Sequence, residues 1–270
     1  MMRIPITMSH GTNRGRYFTP KPRWRDFPPL SIRRFERYLQ IAAELGFHSI
    51  SYDGLASWRQ GGALPDRPIM FDFDHPNISI HREIFPAMRH AGFTANLFID
   101  TARMEKVDDS RYMTWDDVRE LVASGWHIGA HLHNHYNLAY LAKKDPTGGL
   151  IREQMDTCDA IIERHLGIVP RDFAYTTTTW SAAAEREVAK RYRFGRLWTI
   201  GAHYETDAGT VRYADLAGIL GDDEPDGGPP IAARYITKET HPYRLPSLDF
   251  EFLIYDYDAF RRYLEGSLDG

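Results

Sequence analysis

The sequence predicts an α/β protein whose parallel strands close into a barrel. Short runs of apolar residues recur along the 270-residue chain, and a helical pattern follows most of them. Several runs are apolar at nearly every position, which is typical of parallel strands covered on both faces. The alternation of strands and helices indicates βαβ units. Seven or eight strands favour closure into a barrel over an open doubly wound sheet, and no Gly-x-Gly-x-x-Gly follows a strand to support that alternative.

Seven segments carry the strand pattern. They are Ile4 to Ser9, His48 to Tyr52, Ile69 to Asp74, Thr94 to Asp100, His127 to His131, Phe173 to Thr176 and Arg196 to Ile200.

The helices between these strands have recognisable ends. Ser31 is an N-cap residue before an amphipathic run,. Thr114 is followed three residues later by Asp117, which is the spacing of a capping box,. Two further helices are predicted from about Leu150 to Leu166 and from about Ala182 to Tyr192,.

The segment from about 202 to 240 has a different composition. Its centre, Gly221 to Pro230, contains mainly Gly, Pro, Asp and Glu, which predicts a solvated loop,. With no internal repeat and no linker, we expect one barrel domain over residues 1–270 with this segment as a loop insertion.

Composition excludes several classes of function. The chain has 33 Lys and Arg against 37 Asp and Glu, a net charge of −4, which argues against a nucleic-acid surface,. Its single Cys excludes a disulfide framework and a multi-thiolate zinc site, so any metal ligands must be His, Asp or Glu,. No run approaches the roughly 20 apolar residues of a membrane helix, so we expect no membrane insertion. The N-terminus lacks a signal-peptide pattern, which favours a cytoplasmic protein, although a trimmed leader would look the same.

Two aspartates end the third predicted strand. Residues i and i+2 of a strand point the same way, so Asp72 and Asp74 should share a face about 6–7 Å apart. Chemistry in barrel enzymes lies at the C-terminal ends of the strands, where this pair is predicted to lie. The alternative interpretation is a pair of carboxylates that cap the next loop.

A His-x-x-x-His spacing ends the fifth predicted strand. His131 and His135 can converge on one ion if the chain makes a helical turn there. Alone, such a spacing is more typical of polar surface, but Asp74 at another strand end completes a three-ligand set with an open position. This donor set predicts a divalent metal ion, zinc first, with cobalt, nickel or iron as alternatives.

At these residues the sequence resembles the polysaccharide deacetylase family, also called the NodB-homology or carbohydrate esterase 4 group. Five further segments follow the family's order: Ile4 to His10, Phe35 to Ser51, Met113 to His131, Phe173 to Tyr175 and Pro242 to Pro246. The resemblance covers about residues 4–265 and implies a distorted (β/α)7 barrel.

The resemblance also implies roles for individual residues. Asp72 matches the general base, and Asp74, His131 and His135 match the metal ligands. In such a site the metal lowers the pKa of a water, and the base removes its proton as the water attacks an acetyl carbonyl. The backbone N–H at Thr177 matches the donor to the oxyanion.

The sequence departs from the family pattern in three places. Leu132 follows the first histidine, where the family has Ser or Thr. The third motif, Pro-Tyr-Gly in the family, is replaced by residues 176–178, all Thr. The late histidine that acts as general acid is not visible. Trp180 could supply the aromatic platform missing from the third motif, and His10 could line the pocket or face solvent.

These observations predict a metal-dependent deacetylase of an acetylated amino sugar, with a sugar or glycan as its partner. Three alternatives stay open: a hydrolase of a non-carbohydrate amide, a catalytically silent barrel that binds metal or glycan, and a glycosidase. The glycosidase would use Asp72 and Asp74 as its acid and nucleophile, which requires carboxyls about 5–5.5 Å apart in a retaining enzyme.

Overall fold

A curled, mostly parallel sheet lies at the centre of the computed structural model, which describes residues 2–12, 30–106 and 109–269. The strands are β1 (Ile4–Ser9), β2 (His48–Ser49), β3 (Pro68–Asp74), β4 (Asn96–Ile99), β5 (His127–Ala130), β6 (Asp172–Ala174), β7 (Phe194–Arg196), β8 (His203–Thr206), β9 (Gly209–Arg212), β10 (Tyr235–Ile236) and β11 (Leu248–Asp249). Strands β8 and β9 form a separate antiparallel hairpin.

Helices cover the outside of the sheet. They are α1 (Ile32–Glu44), α2 (Tyr52–Arg59), α3 (Phe85–Ala91), α4 (Thr101–Met104), α5 (Trp115–Ala123), α6 (Leu138–Lys144), α7 (Gly149–Leu166), α8 (Ala182–Arg191), α9 (Tyr213–Ala217) and α10 (Tyr257–Gly266). A π-helical turn (Ile80–Ile84) leads into α3, and a short 3-10 turn (Ile231–Arg234) precedes β10.

The sheet forms a distorted (β/α)7 barrel. Strands β1, β3, β4, β5, β6 and β7 are neighbours in that order and parallel. Strand β11 closes the ring, because Leu248 pairs with Thr7 on one side and with Thr199 on the other. Seven parallel positions therefore surround the core, and the predicted fold class is confirmed.

The predicted helix starts agree with the structure. The Ser31 side chain accepts a hydrogen bond from the N–H of Arg34 at the start of α1. Thr114 and Asp117 form the reciprocal bonds of a capping box at α5,. Helices α7 and α8 lie within one residue of their predicted ranges.

Two strand predictions were wrong at their ends. The second strand stops at Ser49, because Ser51 caps α2 by accepting from the N–H of Gly54,. The last strand was predicted from Arg196 onwards, but β7 ends at that residue. Beyond Arg196 the chain pairs with the closing strand only through an isolated bridge at Thr199.

The expectation of a solvated loop over about 202–240 was wrong in part. The segment contains β8, β9, α9 and β10, and Tyr204 and Tyr213 within it are buried with their ring centroids 5.7 Å apart. These two aromatic side chains join the main core, whereas the Gly/Pro-rich centre from which we predicted a loop contains no helix or strand.

Close packing between β4 and β5 requires a glycine in β5. A Cβ at Gly129 would lie 2.4 Å from the Phe98 ring. The Phe98 ring on β4 therefore lies directly against the Gly129 backbone, just before the His-rich segment. Among the described residues, no helix has the length and apolarity needed to cross a membrane.

Candidate metal centre and active site

Three imidazoles meet at the C-terminal ends of β3 and β5. One ring nitrogen of each of His75, His131 and His135 lies within 4.8 Å of the others. His75 directly follows β3, and the other two follow β5. The topology therefore brings together two segments that are 56 residues apart in sequence at their nearest histidines, His75 and His131.

Acceptors behind two of these rings orient them. The Nδ1 of His131 lies 2.8 Å from the carbonyl oxygen of Ala174, which can only accept, so Nδ1 carries the proton,. The Nε2 of His131 is then the lone-pair nitrogen, and it is buried with no hydrogen-bond partner among the described residues. The Nδ1 of His75 lies 3.0 Å from Asp100. Metal-binding histidines are typically oriented in this way, by a carbonyl or a carboxylate at the other nitrogen.

The backbone turns sharply at the same place. Positive φ angles occur at His75 (67°), Leu132 (64°), His135 (53°) and Thr177 (59°). Such conformations cost on the order of 1–3 kcal/mol each in non-glycine residues and concentrate at functional sites. Leu132 occupies the position where the resemblance expects Ser or Thr, and its side chain is fully buried in the core.

Burial keeps the imidazoles neutral. Desolvation lowers the pKa of His75 and His131 well below the ordinary value, and lowers the pKa of His135 to about 2,. The pKa of His10 is lowered to about 4 for the same reason. Neutral imidazole is the form that binds a metal.

Asp72 is buried beneath the site and has polar partners at both oxygens. Its Oδ2 accepts a hydrogen bond of 2.7 Å from the Tyr52 hydroxyl, and its Oδ1 accepts one of 2.8 Å from the Asn96 amide. The Nε of Arg196 lies 3.3 Å from Oδ2. Burial raises the pKa of Asp72 to about 6, although Arg196 opposes the increase,.

Asp74 lies between Arg196 and the imidazoles. Its Oδ1 accepts a hydrogen bond from Nη2 of Arg196, and its Oδ2 lies 3.9 Å from Nε2 of His131. The rings of His131 and His135 are 4.8 Å apart, so all three predicted ligands belong to one site. The roles assigned to Asp72, Asp74, His131 and His135 stay predictions, because position alone does not distinguish a ligand from a base.

The remaining predicted residues lie around this centre. The His10 ring stacks on His75 at 5.2 Å and contacts Trp198 edge-on at 4.9 Å. Thr177 follows β6 and donates its hydroxyl to Thr179. His10 therefore lines the site, while the oxyanion role predicted for Thr177 stays a prediction.

Trp180 is held on the β6–α8 connection. Its indole N–H donates to Glu185 at 2.8 Å, and the Arg244 guanidinium covers one face of the ring at 5.2 Å. A sugar ring could stack only on the other face of this indole, which leaves the predicted platform role open.

Sequence reasoning missed Arg196, although a signal was present. Arg196 is fully buried, and its guanidinium also lies 5.0 Å from the Phe98 ring centre. A lone charge at the end of an apolar strand is costly to bury without a partner, which could have indicated an ion pair with a strand-end carboxylate. Asn96 and Tyr52 gave no comparable signal, because the strand register and helix position that bring them to Asp72 are tertiary features.

The donor set fits a divalent metal ion. Neutral imidazoles whose other nitrogen faces an acceptor are expected of metal ligands, and so is the buried Nε2 of His131, which has no hydrogen-bond partner in the part of the chain that the structure describes,. The neighbouring carboxylate of Asp74 supplies compensating negative charge.

Comparisons with known proteins identify a family and a shared fold. The sequence model of the family described as polysaccharide deacetylase matches residues 61–195. No curated protein matches the sequence. Among solved structures, the polysaccharide deacetylase BC0361 from Bacillus cereus has a TM-score of 0.66 at 13% identity, with 96% of this chain and 69% of that chain covered. The BpsB deacetylase domain from Bordetella bronchiseptica has a TM-score of 0.63 at 16% identity, with coverages of 92% and 96%. The Streptococcus pyogenes deacetylase PplD in complex with acetate has a TM-score of 0.62 at 17% identity, with coverages of 76% and 87%.

Proposed function

Because the chain belongs to the polysaccharide deacetylase family, we propose that it is a metal-dependent hydrolase that removes the N-acetyl group from an acetylated amino sugar. Family membership supports the coarser statement, a deacetylase acting on carbohydrate. The observation that carries the metal dependence is the convergence of His75, His131 and His135 beside Asp74 at the C-terminal end of the barrel,.

The reaction adds water to the acetyl carbonyl carbon and breaks the carbon–nitrogen bond, which yields acetate and a free amine. When bound, a divalent ion supplies Lewis-acid polarisation and a lowered water pKa. The protein holds that ion through its imidazoles and takes one proton from the attacking water on a carboxylate. The backbone N–H of Thr177 is placed by the family resemblance to donate to the developing oxyanion.

Two carboxylates at the end of β3 could take the proton. The resemblance implies Asp72, whose pKa of about 6 suits a base near neutral pH,. Asp74 is the alternative, because its Oδ2 is near His131 while Arg196 holds its other oxygen. In either case the departing amine must gain a proton before it leaves.

Two exposed aromatic side chains that follow His135 closely in the chain support a carbohydrate substrate. Tyr136 directly follows His135 and is 47% exposed, and Tyr140 on the first turn of α6 is 59% exposed. Aromatic rings of this kind stack on the apolar faces of sugars. They could replace the aromatic residue that the family has at Thr177.

The test is acetate release from N-acetylated chitooligosaccharides, peptidoglycan fragments and UDP-N-acetyl sugars. We expect release by wild-type protein loaded with Zn²⁺ or Co²⁺ and its loss in His131→Ala. His48→Ala is the matched control, because His48 is exposed and pairs with the start of β3, at the opposite end of the barrel. Release from a non-carbohydrate amide only would favour the amide-hydrolase alternative. Metal binding without turnover of any acetylated compound would favour the silent barrel.

A further inference from the structure

Asp72, Asp74 and His75, at the end of β3, are the candidates for two roles, the third metal ligand and the base. Resting on the proposed function, we propose that His75, not Asp74, is the third metal ligand, and that Asp74, not Asp72, takes the proton from the attacking water. This assignment moves the ligand by one residue and the base by two residues relative to the roles that the family resemblance implies.

The geometry of His75 is that of a ligand. Its ring nitrogen is within 4.8 Å of those of His131 and His135, and its ring centroid lies 5.1 Å and 4.6 Å from theirs. The left-handed backbone at His75 turns the chain at the end of β3,. Without that turn, side-chain alternation along a strand would place residue 75 on the face opposite Asp74.

A hydrogen bond at the other ring nitrogen supports His75 independently. Asp100 accepts at 3.0 Å from Nδ1 of His75, and the same carboxylate is ion-paired with Arg103. A buried carboxylate–histidine pair of this kind fixes the tautomer and leaves Nε2 as the ligand atom. His133, the histidine between the two β5 ligands, has a longer and more exposed contact, because its Nε2 lies 3.9 Å from the exposed carboxylate of Glu105. Its Nδ1 lies 2.9 Å from the Thr101 hydroxyl.

Asp72 is poorly placed to take a proton from a bound water. The residue is fully buried, and its oxygens already face the Tyr52 hydroxyl, the Asn96 amide and the Arg196 guanidinium. A base must come within hydrogen-bond reach of the proton it removes. Asp72 instead positions Arg196, which in turn holds Asp74.

The two carboxylate oxygens of Asp74 face different groups. Its Oδ1 is engaged by Arg196, and its Oδ2 faces Nε2 of His131 at 3.9 Å. A guanidinium on the same carboxylate weakens its donation to a second cation, because the positive charges repel. If Asp74 joined the three imidazoles as a ligand, the ion would have four protein ligands, which is the closed arrangement of structural sites.

The assignment predicts metal preference. Three neutral nitrogen donors favour Zn²⁺, Co²⁺ and Ni²⁺ and bind Mg²⁺ or Mn²⁺ weakly, because those ions prefer oxygen ligands. A site with a carboxylate ligand would show a smaller preference for Zn²⁺, Co²⁺ and Ni²⁺ over Mg²⁺ and Mn²⁺.

The test measures metal affinity separately from activity. Zn²⁺ and Co²⁺ binding is titrated against a competing chelator for wild-type protein, His75→Ala, Asp74→Asn and the control His133→Ala. We expect His75→Ala to weaken metal affinity by more than the about 10- to 100-fold loss that is typical when a residue hydrogen-bonded to a ligand is changed. Asp74→Asn should bind within about tenfold of wild type and lose about 10²–10⁴-fold in kcat. The opposite pattern, with affinity lost in Asp74→Asn and kept in His75→Ala, would overturn the assignment.

A substitution that restores a ligand at position 75 serves as the control for correct folding. Aspartate tolerates positive φ, so His75→Asp should fold, as checked by its unfolding temperature without metal, and recover part of the affinity lost in His75→Ala. Imidazole ¹⁵N spectra give a direct readout: three histidine nitrogens should shift when Zn²⁺ binds, and a shift of only two in wild-type protein would refute a three-histidine site.

The two proposals fail differently. Wild-type protein that binds no metal would refute the metal dependence of the proposed function. Wild-type protein that binds metal and deacetylates sugars, but whose affinity does not depend on residue 75, would refute only the present assignment.

Discussion

Arg196 is the residue whose removal the structure makes most informative. It is fully buried, and its guanidinium contacts both Asp72 and Asp74. Arg196→Met keeps a similar side-chain length and removes the charge, which leaves two buried carboxylates without their shared cation. Breaking a buried ion pair in this way typically costs about 3–5 kcal/mol.

The corresponding change in thermal stability follows from chain length. Unfolding entropy of about 2.1 cal/mol/K per residue gives about 0.6 kcal/mol/K for a chain of this size. With 270 residues, Arg196→Met should therefore unfold about 5–9 °C below wild type,. Without the cation, the pKa of the Asp72 carboxyl should rise further, so the destabilisation should become smaller as the pH falls from 8 to 5.

A double-mutant cycle tests the physical cause. In an Asp72→Asn background one of the two buried charges is already absent, so the cost of Arg196→Met should fall by about 1–3 kcal/mol. The assay is chemical denaturation of the metal-free protein, monitored by circular dichroism, for wild type, both single variants and the double variant. A loss below about 1 kcal/mol, or additive single effects, would refute the view that this guanidinium neutralises the β3 carboxylates.

Three further predictions concern stability elsewhere. Burial raises the pKa of Asp159 to about 7, although the Tyr192 hydroxyl donates a hydrogen bond to this carboxyl. The stability that the protonated carboxyl contributes is therefore fully present below its unfolded-state pKa, and it is lost as the pH rises towards 7. Asp159→Asn should therefore stabilise the protein more at pH 8 than at pH 4.5 in urea titrations, and a constant difference would contradict this. Gly129→Ala would place a Cβ against the Phe98 ring and should lower the unfolding free energy by about 1–3 kcal/mol, whereas an unchanged denaturation midpoint would show that the ring can move aside without loss,. Zn²⁺ at 100 times its Kd should raise the free energy of unfolding by about 2.7 kcal/mol, and EDTA should reverse the increase. A melting temperature that changes with neither Zn²⁺ nor EDTA would refute the view that the ion binds only the folded state.

Elements that depend on local physics could be predicted from sequence. The N-caps at Ser31 and Thr114 involve hydrogen bonds within one helical turn, so a short window contains the information,. The strand β1 was predicted with the bounds it has, because an apolar run with a turn after it determines both ends. The hairpin and helix within 202–240 were missed because Tyr204 and Tyr213 are buried by distant parts of the chain.

Some residues of the candidate site could likewise be predicted from sequence, and others could not. Asp74, His131 and His135 could be selected from spacing and strand ends alone, and the structure brings them together. His75 was not among the predicted ligands, because its position beside His131 and His135 depends on a left-handed backbone at the end of β3. The lone charge of Arg196 could have indicated an ion pair, but the sequence could not identify Asp72 and Asp74 as its partners, since 122 residues separate Arg196 from Asp74.

The sequence by itself determined the barrel class, the exclusion of a multi-thiolate metal site, and the two strand ends at which the candidate ligands lie. These follow from composition, from periodicity and from the rule that the C-terminal ends of parallel strands share one edge. Only the tertiary structure decided which oxygens and nitrogens face one another: Asp72 is enclosed by polar partners, Asp74 is shared between Arg196 and the imidazoles, and His75 joins the cluster. The physical reason is that the strand pattern specifies the face on which a side chain lies, whereas burial and the partner atoms of that side chain come from segments distant in the chain.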